Sequence, residues 1–159
     1  MKPIPYGTQH ITDEDIAAVT EALKSPLLTQ GPKLAEFERA FADYVGARYA
    51  VAVSNGTAAL HLSALAAGLG PGDRAITTPI TFAASANCIR YCGAEAVFAD
   101  IDPQTYLLDA NRVETLLQQA EPGTYKALIP VDLAGYPVDA ERFRRLADRY
   151  GLRIIEDAC

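Results

Sequence analysis

From residue 49 onward the sequence alternates between two kinds of segment. Short runs rich in β-branched and other apolar residues, such as ALIPV, have the nearly continuous apolar character of strands covered on both faces. Longer runs between them have helical spacing, and one of them has Asp139 at its expected N-cap and Gly151 just beyond its end. The strand-like runs are 49–53, 74–78, 96–100, 127–131 and 153–157, and the helix-like runs are 57–69, 81–92, 109–119 and 139–150. This order predicts an α/β fold with a mostly parallel, doubly wound sheet and right-handed crossovers.

Two helices are predicted before the first strand. Residues 12–23 begin with Thr12 and carry acidic residues in their first turn, and residues 33–46 end at Gly46. We therefore expect an N-terminal helical segment, residues 1–47, followed by an α/β domain, residues 48–159.

Composition and charge exclude several classes of partner. A formal charge of −6, with no cluster of Lys and Arg, argues against nucleic acid. The opening MKPIPYG has no apolar signal region, and no run is long enough to span a bilayer, so we expect a cytoplasmic protein with no membrane partner. Cys88 and Cys92 lie four residues apart with no His nearby, which favours small buried hydrophobic residues over a metal site.

The segment VSNGTAAL, residues 53–60, runs from a predicted strand into a predicted helix. The first N–H groups of a helix have no partner within the helix, and they carry a partial positive charge. Gly56 permits close approach of the backbone and the Thr57 hydroxyl adds a donor, so a phosphate would fit here. The alternative is purely structural, because Asn55 or Thr57 is also suited to cap the helix.

Two further residues lie where predicted strands end. Phe82 follows the strand 74–78 and Asp157 ends the strand 153–157, and ligands of open parallel sheets bind at that edge. Phe82 is suited to pack beneath a planar ligand, or else to fill the core. A carboxylate buried at Asp157 requires a cationic or N–H partner, such as a protonated ring nitrogen, unless it caps a following helix. A phosphate site, an aromatic side chain and an acceptor for a ring nitrogen at one edge are what pyridoxal 5′-phosphate (PLP) needs.

Five motifs carry a resemblance to a known family. They are LTQGP (28–32), YVGARYAVAVSNGTAALHL (44–62), TTPITFAASANCIRYCGAEAVFADIDP (77–103), PVDLAG (130–135) and GLRIIEDA (151–158). In order and spacing they resemble the N-terminal part of the DegT/DnrJ/EryC1/StrS family, fold-type I PLP enzymes that aminate nucleotide-linked sugars. The resemblance covers essentially the whole chain and implies the large α/β domain of such an enzyme.

The resemblance implies a role for each candidate residue. Gly56 and Thr57 would lie at the cofactor phosphate and the reacting end of the substrate. Phe82 would stack on the pyridine ring, and Asp157 would pair with the ring nitrogen and keep it protonated. The residues that would line the sugar-nucleotide site, unless they are ordinary surface and capping positions, are Tyr6, Pro26, Leu27, Leu28 and Thr29.

Within the family, the motifs YGTQHITDEDI, LTQGP, PITF and VDLAG are most similar to members that act in pseudaminic acid biosynthesis. The resemblance implies transfer of an amino group from glutamate to a UDP-4-keto-6-deoxy sugar, which forms UDP-4-amino-4,6-dideoxy-N-acetyl-β-L-altrosamine. It also implies a homodimer for the complete enzyme.

The family's Schiff-base lysine lies downstream of the EDA motif, and none of Lys2, Lys24, Lys33 and Lys126 matches it. We therefore expect a chain truncated before that lysine, without the smaller C-terminal domain and inactive by itself. Two alternatives stay open. One is a PLP-dependent sugar dehydratase of the same fold, with His at the lysine position, and the other is a non-catalytic α/β binding fragment.

Overall fold

The computed structural model describes residues 7–158, so the predicted substrate-site residue Tyr6 lies outside the described residues. The chain divides into two compact units, and the boundary between them in the sequence falls between Ala52 and Val53. The domain boundary expected at residues 47 and 48 stays a prediction about the complete protein. The helices are α1 (Asp13–Leu23), α2 (Pro32–Val45), α3 (Gly56–Ala66), α4 (Ala84–Tyr91), α5 (Ala110–Gln119) and α6 (Ala140–Tyr150), and the strands are β1 (Arg74–Thr77), β2 (Glu95–Phe98), β3 (Ala127–Ile129) and β4 (Arg153–Ile154).

The first unit contains the two predicted helices. Thr12 caps α1 in a capping box, because its hydroxyl accepts from the Asp15 N–H at 3.3 Å and its own N–H donates to the Asp15 carboxylate at 2.8 Å. Helix α2 begins at Pro32 and ends at Gly46, which has a φ of 68°. Both helices are confirmed, with ends within one residue of those predicted.

The strand predicted at 49–53 is wrong for the described structure. No strand is formed there, and Val51 is 77% exposed. A strand exists only where its backbone groups pair with a neighbouring strand. In this unit the N–H of Ala52 donates instead to the Glu38 carboxylate at 2.9 Å.

The second unit is built on a four-stranded sheet with the order β2-β1-β3-β4, and every neighbouring pair is parallel. The chain moves from β1 to β2 through α4, crosses back over β1 to β3 through α5, and continues to β4 through α6. A parallel sheet in which the direction of winding reverses beside the first strand is doubly wound. The predicted fold class is therefore confirmed.

Alternate side chains of the central strands supply two apolar layers, one on each face of the sheet. Ala75 and Ile129 pack with residues of α3 and α4, whereas Ile76 and Leu128 pack with residues of α5 and α6. Phe143 of α6, which is 2% exposed, is the largest fully buried side chain in the second layer. The continuous apolar character of these strands follows from burial on both faces.

Helix α3 is only partly buried. Although its composition is apolar on nearly all sides, only Leu60 and Ala64 are buried. Leu62 and Leu65, on its other side, are 50% and 48% exposed. One face of a helix suffices to cover a sheet, and the other residues of the second unit do not cover the opposite face of α3.

Candidate active site

The order of the strands locates a crevice at the carboxyl edge of the sheet. The chain leaves β1 toward β2 on one side and later returns to β3 on the other side. In such open sheets the connections diverge at this point, and ligands bind in the crevice outside the carboxyl ends of the two strands. The segments that leave this edge are residues 78–83 after β1, residues 130–132 after β3 and residues 155–158 after β4.

The C-terminus of helix α3 lies at the end of the sheet opposite to this edge. Beyond its C-terminus, the Gly70 N–H donates to the Asp73 carboxylate at 2.8 Å, and Asp73 directly precedes β1. The same carboxylate pairs with Lys126, which directly precedes β3, at 3.0 Å. The C-terminal end of α3 therefore lies at the amino edge of the sheet. Helix α3 is eleven residues, about 16 Å, long and packs on a face of the sheet through Leu60 and Ala64, so its N-terminus is directed away from the amino edge and toward the carboxyl edge.

The N-terminus of α3 has both the predicted cap and amide groups available for a ligand. Asn55 caps the helix, because its side-chain oxygen accepts from the Ala58 N–H at 2.9 Å. Within residues 7–158 the N–H groups of Gly56 and Thr57 have no acceptor. A Cβ added at Gly56 would meet nothing within 4 Å, so the space beside it is open. Capping by Asn55 and binding of an anion at these amides are therefore compatible.

Asp157 is fixed at the carboxyl edge beside β3. It forms a parallel bridge with Val131, its N–H donates to the Pro130 carbonyl at 2.9 Å, and its carbonyl accepts from the Asp132 N–H at 3.0 Å. The residue is 8% exposed. Its carboxylate does not have the predicted cationic or N–H partner among the described residues, since the group that donates to Oδ2 is the Ser85 hydroxyl, at 2.6 Å.

Ser85 connects Asp157 to the segment that contains Phe82. Its hydroxyl lies 2.8 Å from the Thr81 hydroxyl and 3.2 Å from the Phe82 carbonyl, and the Ser85 N–H also donates to that carbonyl at 3.2 Å. Sequence reasoning missed Ser85. Its neighbours in the chain give no signal for this role, because its partner Asp157 is 72 residues away.

Phe82 lies in the loop before α4, two residues before the helix begins at Ala84, whereas the sequence predicted a helix that begins at residue 81. Its side chain is 77% exposed, so the alternative in which it fills the core does not hold for the described residues. An exposed phenyl ring beside a ligand edge is available to stack on a planar group. The remaining predicted site residues, Pro26, Leu27, Leu28 and Thr29, belong to the loop between α1 and α2 in the first unit.

A pair of carboxylates lies next to Asp157 along the same edge. Partial desolvation raises the pKa of Glu156, and the neighbouring Asp132 carboxylate raises it further. Asp132 in turn accepts from the Val138 N–H at 2.9 Å, which fixes the turn after β3. This edge is therefore acidic apart from the amides of α3.

Cys88 lies one turn beyond Ser85 in α4 and is fully buried. Burial raises the pKa of its thiol from 9.0 to about 11, and the nearby Cys92 and Asp157 act in the same direction. Both cysteines are free and buried, as predicted. Among residues 7–158 no group of three or more His, Cys, Asp or Glu is arranged to hold a metal ion.

The raised pKa of Cys88 predicts a loss of stability at high pH. The unfolded chain releases this proton near pH 9, whereas the folded chain retains it until about pH 11. The stabilisation by the protonated Cys88 thiol is therefore complete below pH 9, falls by about 1.4 kcal/mol for each pH unit between pH 9 and about 11, and is lost at higher pH. We expect the free energy of unfolding of the wild type, measured with urea, to fall more steeply between pH 9 and 11 than that of Cys88→Ala. Parallel curves for the two proteins would contradict the assignment.

None of the helices within residues 7–158 combines the length and the apolar character needed to cross a membrane.

Comparison with known proteins places this geometry in a family. The sequence profile of the DegT/DnrJ/EryC1/StrS aminotransferase family matches residues 9–159. The spore coat polysaccharide biosynthesis protein SpsC of Bacillus subtilis (strain 168) is 44% identical over 155 residues, which are 98% of this chain and 39% of that protein.

Solved structures agree with the sequence match. A DegT/DnrJ/EryC1/StrS aminotransferase from Brucella abortus superposes with a TM-score of 0.83 at 36% identity, over 90% of this chain and 39% of that one. Spr1654 of Streptococcus pneumoniae, described as a sugar aminotransferase, superposes in its PMP-form with a TM-score of 0.83 at 33% identity, over 92% of this chain and 36% of that one. The chain thus spans less than two fifths of the length of these relatives. The matches confirm the predicted fold, the large α/β domain of a fold-type I aminotransferase, and the chain belongs to the DegT/DnrJ/EryC1/StrS aminotransferase family.

Proposed function

We propose that this chain forms the cofactor-binding part of a PLP-dependent aminotransferase that acts on a nucleotide-linked keto sugar. The family match supports amino transfer, and the relative Spr1654 has been solved in both PLP-form and PMP-form. The observation that carries the proposal is the Asp157 carboxylate, which is buried at the carboxyl edge and engaged through Oδ2. Because the chain covers only part of its relatives, the activity is proposed for the complete protein.

The residues at this edge fit PLP chemically. The free amides of Gly56 and Thr57 suit a phosphate, and the open space beside Gly56 admits one. The exposed ring of Phe82 suits a flat pyridine, and within residues 7–158 the Asp157 carboxylate keeps Oδ1 without a hydrogen bond. Lys126, the single lysine among residues 53–158, is held by Asp73 at the amino edge and is not part of this site.

Each of these residues has a distinct task in the proposed reaction. When bound, PLP supplies an electron-accepting ring that carries the amino group from the donor to the keto sugar. Asp157 holds the proton on the ring nitrogen through a charge-assisted hydrogen bond, which keeps the ring positively charged. Phe82 covers one face of the ring and excludes water from it. The free amides at the N-terminus of α3 would hold the phosphate.

The finer assignment is part of the same proposal. The motif resemblance supports a UDP-4-keto-6-deoxy sugar of the pseudaminic acid pathway as acceptor and glutamate as donor. It also supports a homodimer and a sugar-nucleotide site lined by Tyr6 and the loop 26–29, and the acidic composition supports a cytoplasmic location. SpsC, which is named for polysaccharide biosynthesis, supports the sugar class but not the individual sugar.

The test uses the protein expressed from its complete gene, with PLP, glutamate and a UDP-4-keto-6-deoxy-N-acetylhexosamine. We expect a product in which an amino group replaces the carbonyl oxygen, with one 2-oxoglutarate formed for each product. TDP-linked and UDP-linked keto sugars are compared to assign the nucleotide. A product that keeps its carbonyl oxygen and has lost the neighbouring hydroxyl group, with the nitrogen of glutamate released as ammonia, would show the dehydratase instead. A complete protein that neither binds PLP nor aminates any keto sugar would refute the proposal.

A further inference from the structure

We propose that Ser85 is the positioning residue of Asp157, and that Thr81 sets the direction of the Ser85 hydroxyl. The inference rests on the proposed function, because it concerns how Asp157 meets the ring nitrogen of PLP. Ser85 itself touches neither cofactor nor substrate in this proposal. It acts through the carboxylate that it holds.

The direction of each hydrogen bond follows from the charge on Asp157. An ionised carboxylate can only accept, so in the 2.6 Å contact the Ser85 hydroxyl donates to Oδ2. Ser85 has a single hydroxyl proton, and it is used in this bond. In the 2.8 Å contact between the hydroxyls of Ser85 and Thr81, Thr81 is therefore the donor. The result is a relay in which Thr81 donates to Ser85 and Ser85 donates to Asp157.

A competing acceptor does not change this assignment. The Phe82 carbonyl lies 3.2 Å from the Ser85 hydroxyl, which is longer than the 2.6 Å to Asp157. Hydrogen bonds to a charged acceptor are also about twice as strong as those between neutral groups. The Ser85 N–H already donates to that carbonyl at 3.2 Å, so Ser85 is hydrogen-bonded both to the Phe82 backbone and to the Asp157 carboxylate.

Ser85 removes the remaining freedom of the carboxylate. The backbone of Asp157 is fixed by bonds to Pro130 and Asp132, so only its side-chain torsions are left to vary. Holding Oδ2 fixes those torsions and leaves Oδ1 for the ring N–H. Ser85 is fully buried and Asp157 is nearly so, which means that water does not compete for this bond.

The test measures the ring nitrogen directly. The complete protein is loaded with PLP labelled with ¹⁵N in the pyridine ring, and the ¹⁵N chemical shift is followed against pH. We expect a protonated nitrogen in the wild type and a shift toward the neutral value in Ser85→Ala, with PLP bound about tenfold more weakly. Ser85→Thr, which keeps the hydroxyl, should restore the wild-type shift. In an Asp157→Asn background, Ser85→Ala should change neither quantity further.

Ser63→Ala is the matched control, because Ser63 is exposed in α3 and its hydroxyl makes no hydrogen bond within residues 7–158. It should keep the wild-type shift. If Ser85→Ala does not fold, Thr81→Val decides, since it removes only the donor to Ser85 and should move the shift in the same direction by less. If the ring nitrogen is protonated in the wild type and stays protonated in the folded variant, the role of Ser85 is overturned but the proposed function is not. A neutral nitrogen in the wild type, or no bound PLP, overturns the proposed function.

Discussion

Asp157→Asn is expected to lower the rate of amino transfer by the complete protein about a hundredfold while the fold is retained. The amide carries no charge, so it cannot keep a proton on the ring nitrogen. A charge-assisted hydrogen bond contributes roughly 1.5–3 kcal/mol, and each 1.36 kcal/mol corresponds to a tenfold change in rate. The measurement is kcat for formation of the amino sugar at saturating glutamate and keto sugar, with circular dichroism to verify the fold.

Asp148→Asn is the matched control for this variant. Asp148 is exposed on α6, and its side chain makes no hydrogen bond or ion pair within residues 7–158. The same loss of charge there should leave kcat within twofold of the wild type. Near-normal turnover by a folded Asp157→Asn protein would remove Asp157 from its proposed role.

Two phenylalanines are expected to give opposite results when each is changed to Ala. Phe143→Ala should lower the free energy of unfolding by about 3–5 kcal/mol, because the buried ring leaves a cavity between α6 and the sheet. Phe82→Ala should change it by less than about 0.5 kcal/mol, because the ring is 77% exposed. Urea unfolding of the cofactor-free protein measures both.

The affinity for PLP should respond to the same two substitutions in the opposite way. Loss of a stacking contact of about 0.5–1.5 kcal/mol predicts PLP affinity reduced by about two- to twelvefold in Phe82→Ala. Folded Phe143→Ala should bind PLP as the wild type does, measured at a temperature well below its midpoint. If Phe82→Ala bound PLP with unchanged affinity, the stacking role would be refuted.

Helix boundaries were the most predictable part of this fold because their signals are local. Thr12 and Asp139 cap helices where predicted, and Gly46 and Gly151 end helices with φ of 68° and 69°. Each of these signals acts within four residues of the position it marks. The strand predicted at 49–53 had the right composition, but pairing depends on a second segment that composition does not reveal. The exposure of Leu62 and Leu65 likewise depends on what covers α3 and not on α3 itself.

The sequence predicted which edge of the sheet carries the candidate site, but not the hydrogen bonds within the site. The rule that ligands bind at carboxyl ends of parallel strands placed Phe82 and Asp157 correctly at one edge. It gave no reason to select Ser85, which sits in a run of small residues before Cys88. The burial of Asp157 was expected, yet the donor proved to be a hydroxyl rather than a cation or an N–H group.

Because Ser85 and Asp157 are 72 residues apart, the site forms only when both segments of the chain have folded together. A chain that has formed α4 but not yet docked β4 lacks the anchored acid, so it has no reason to retain the cofactor. Binding that selects the finished state shifts the equilibrium toward it, by about 2.7 kcal/mol at a ligand concentration one hundred times Kd. In the proposed enzyme, cofactor binding therefore stabilises the folded chain in addition to enabling the reaction.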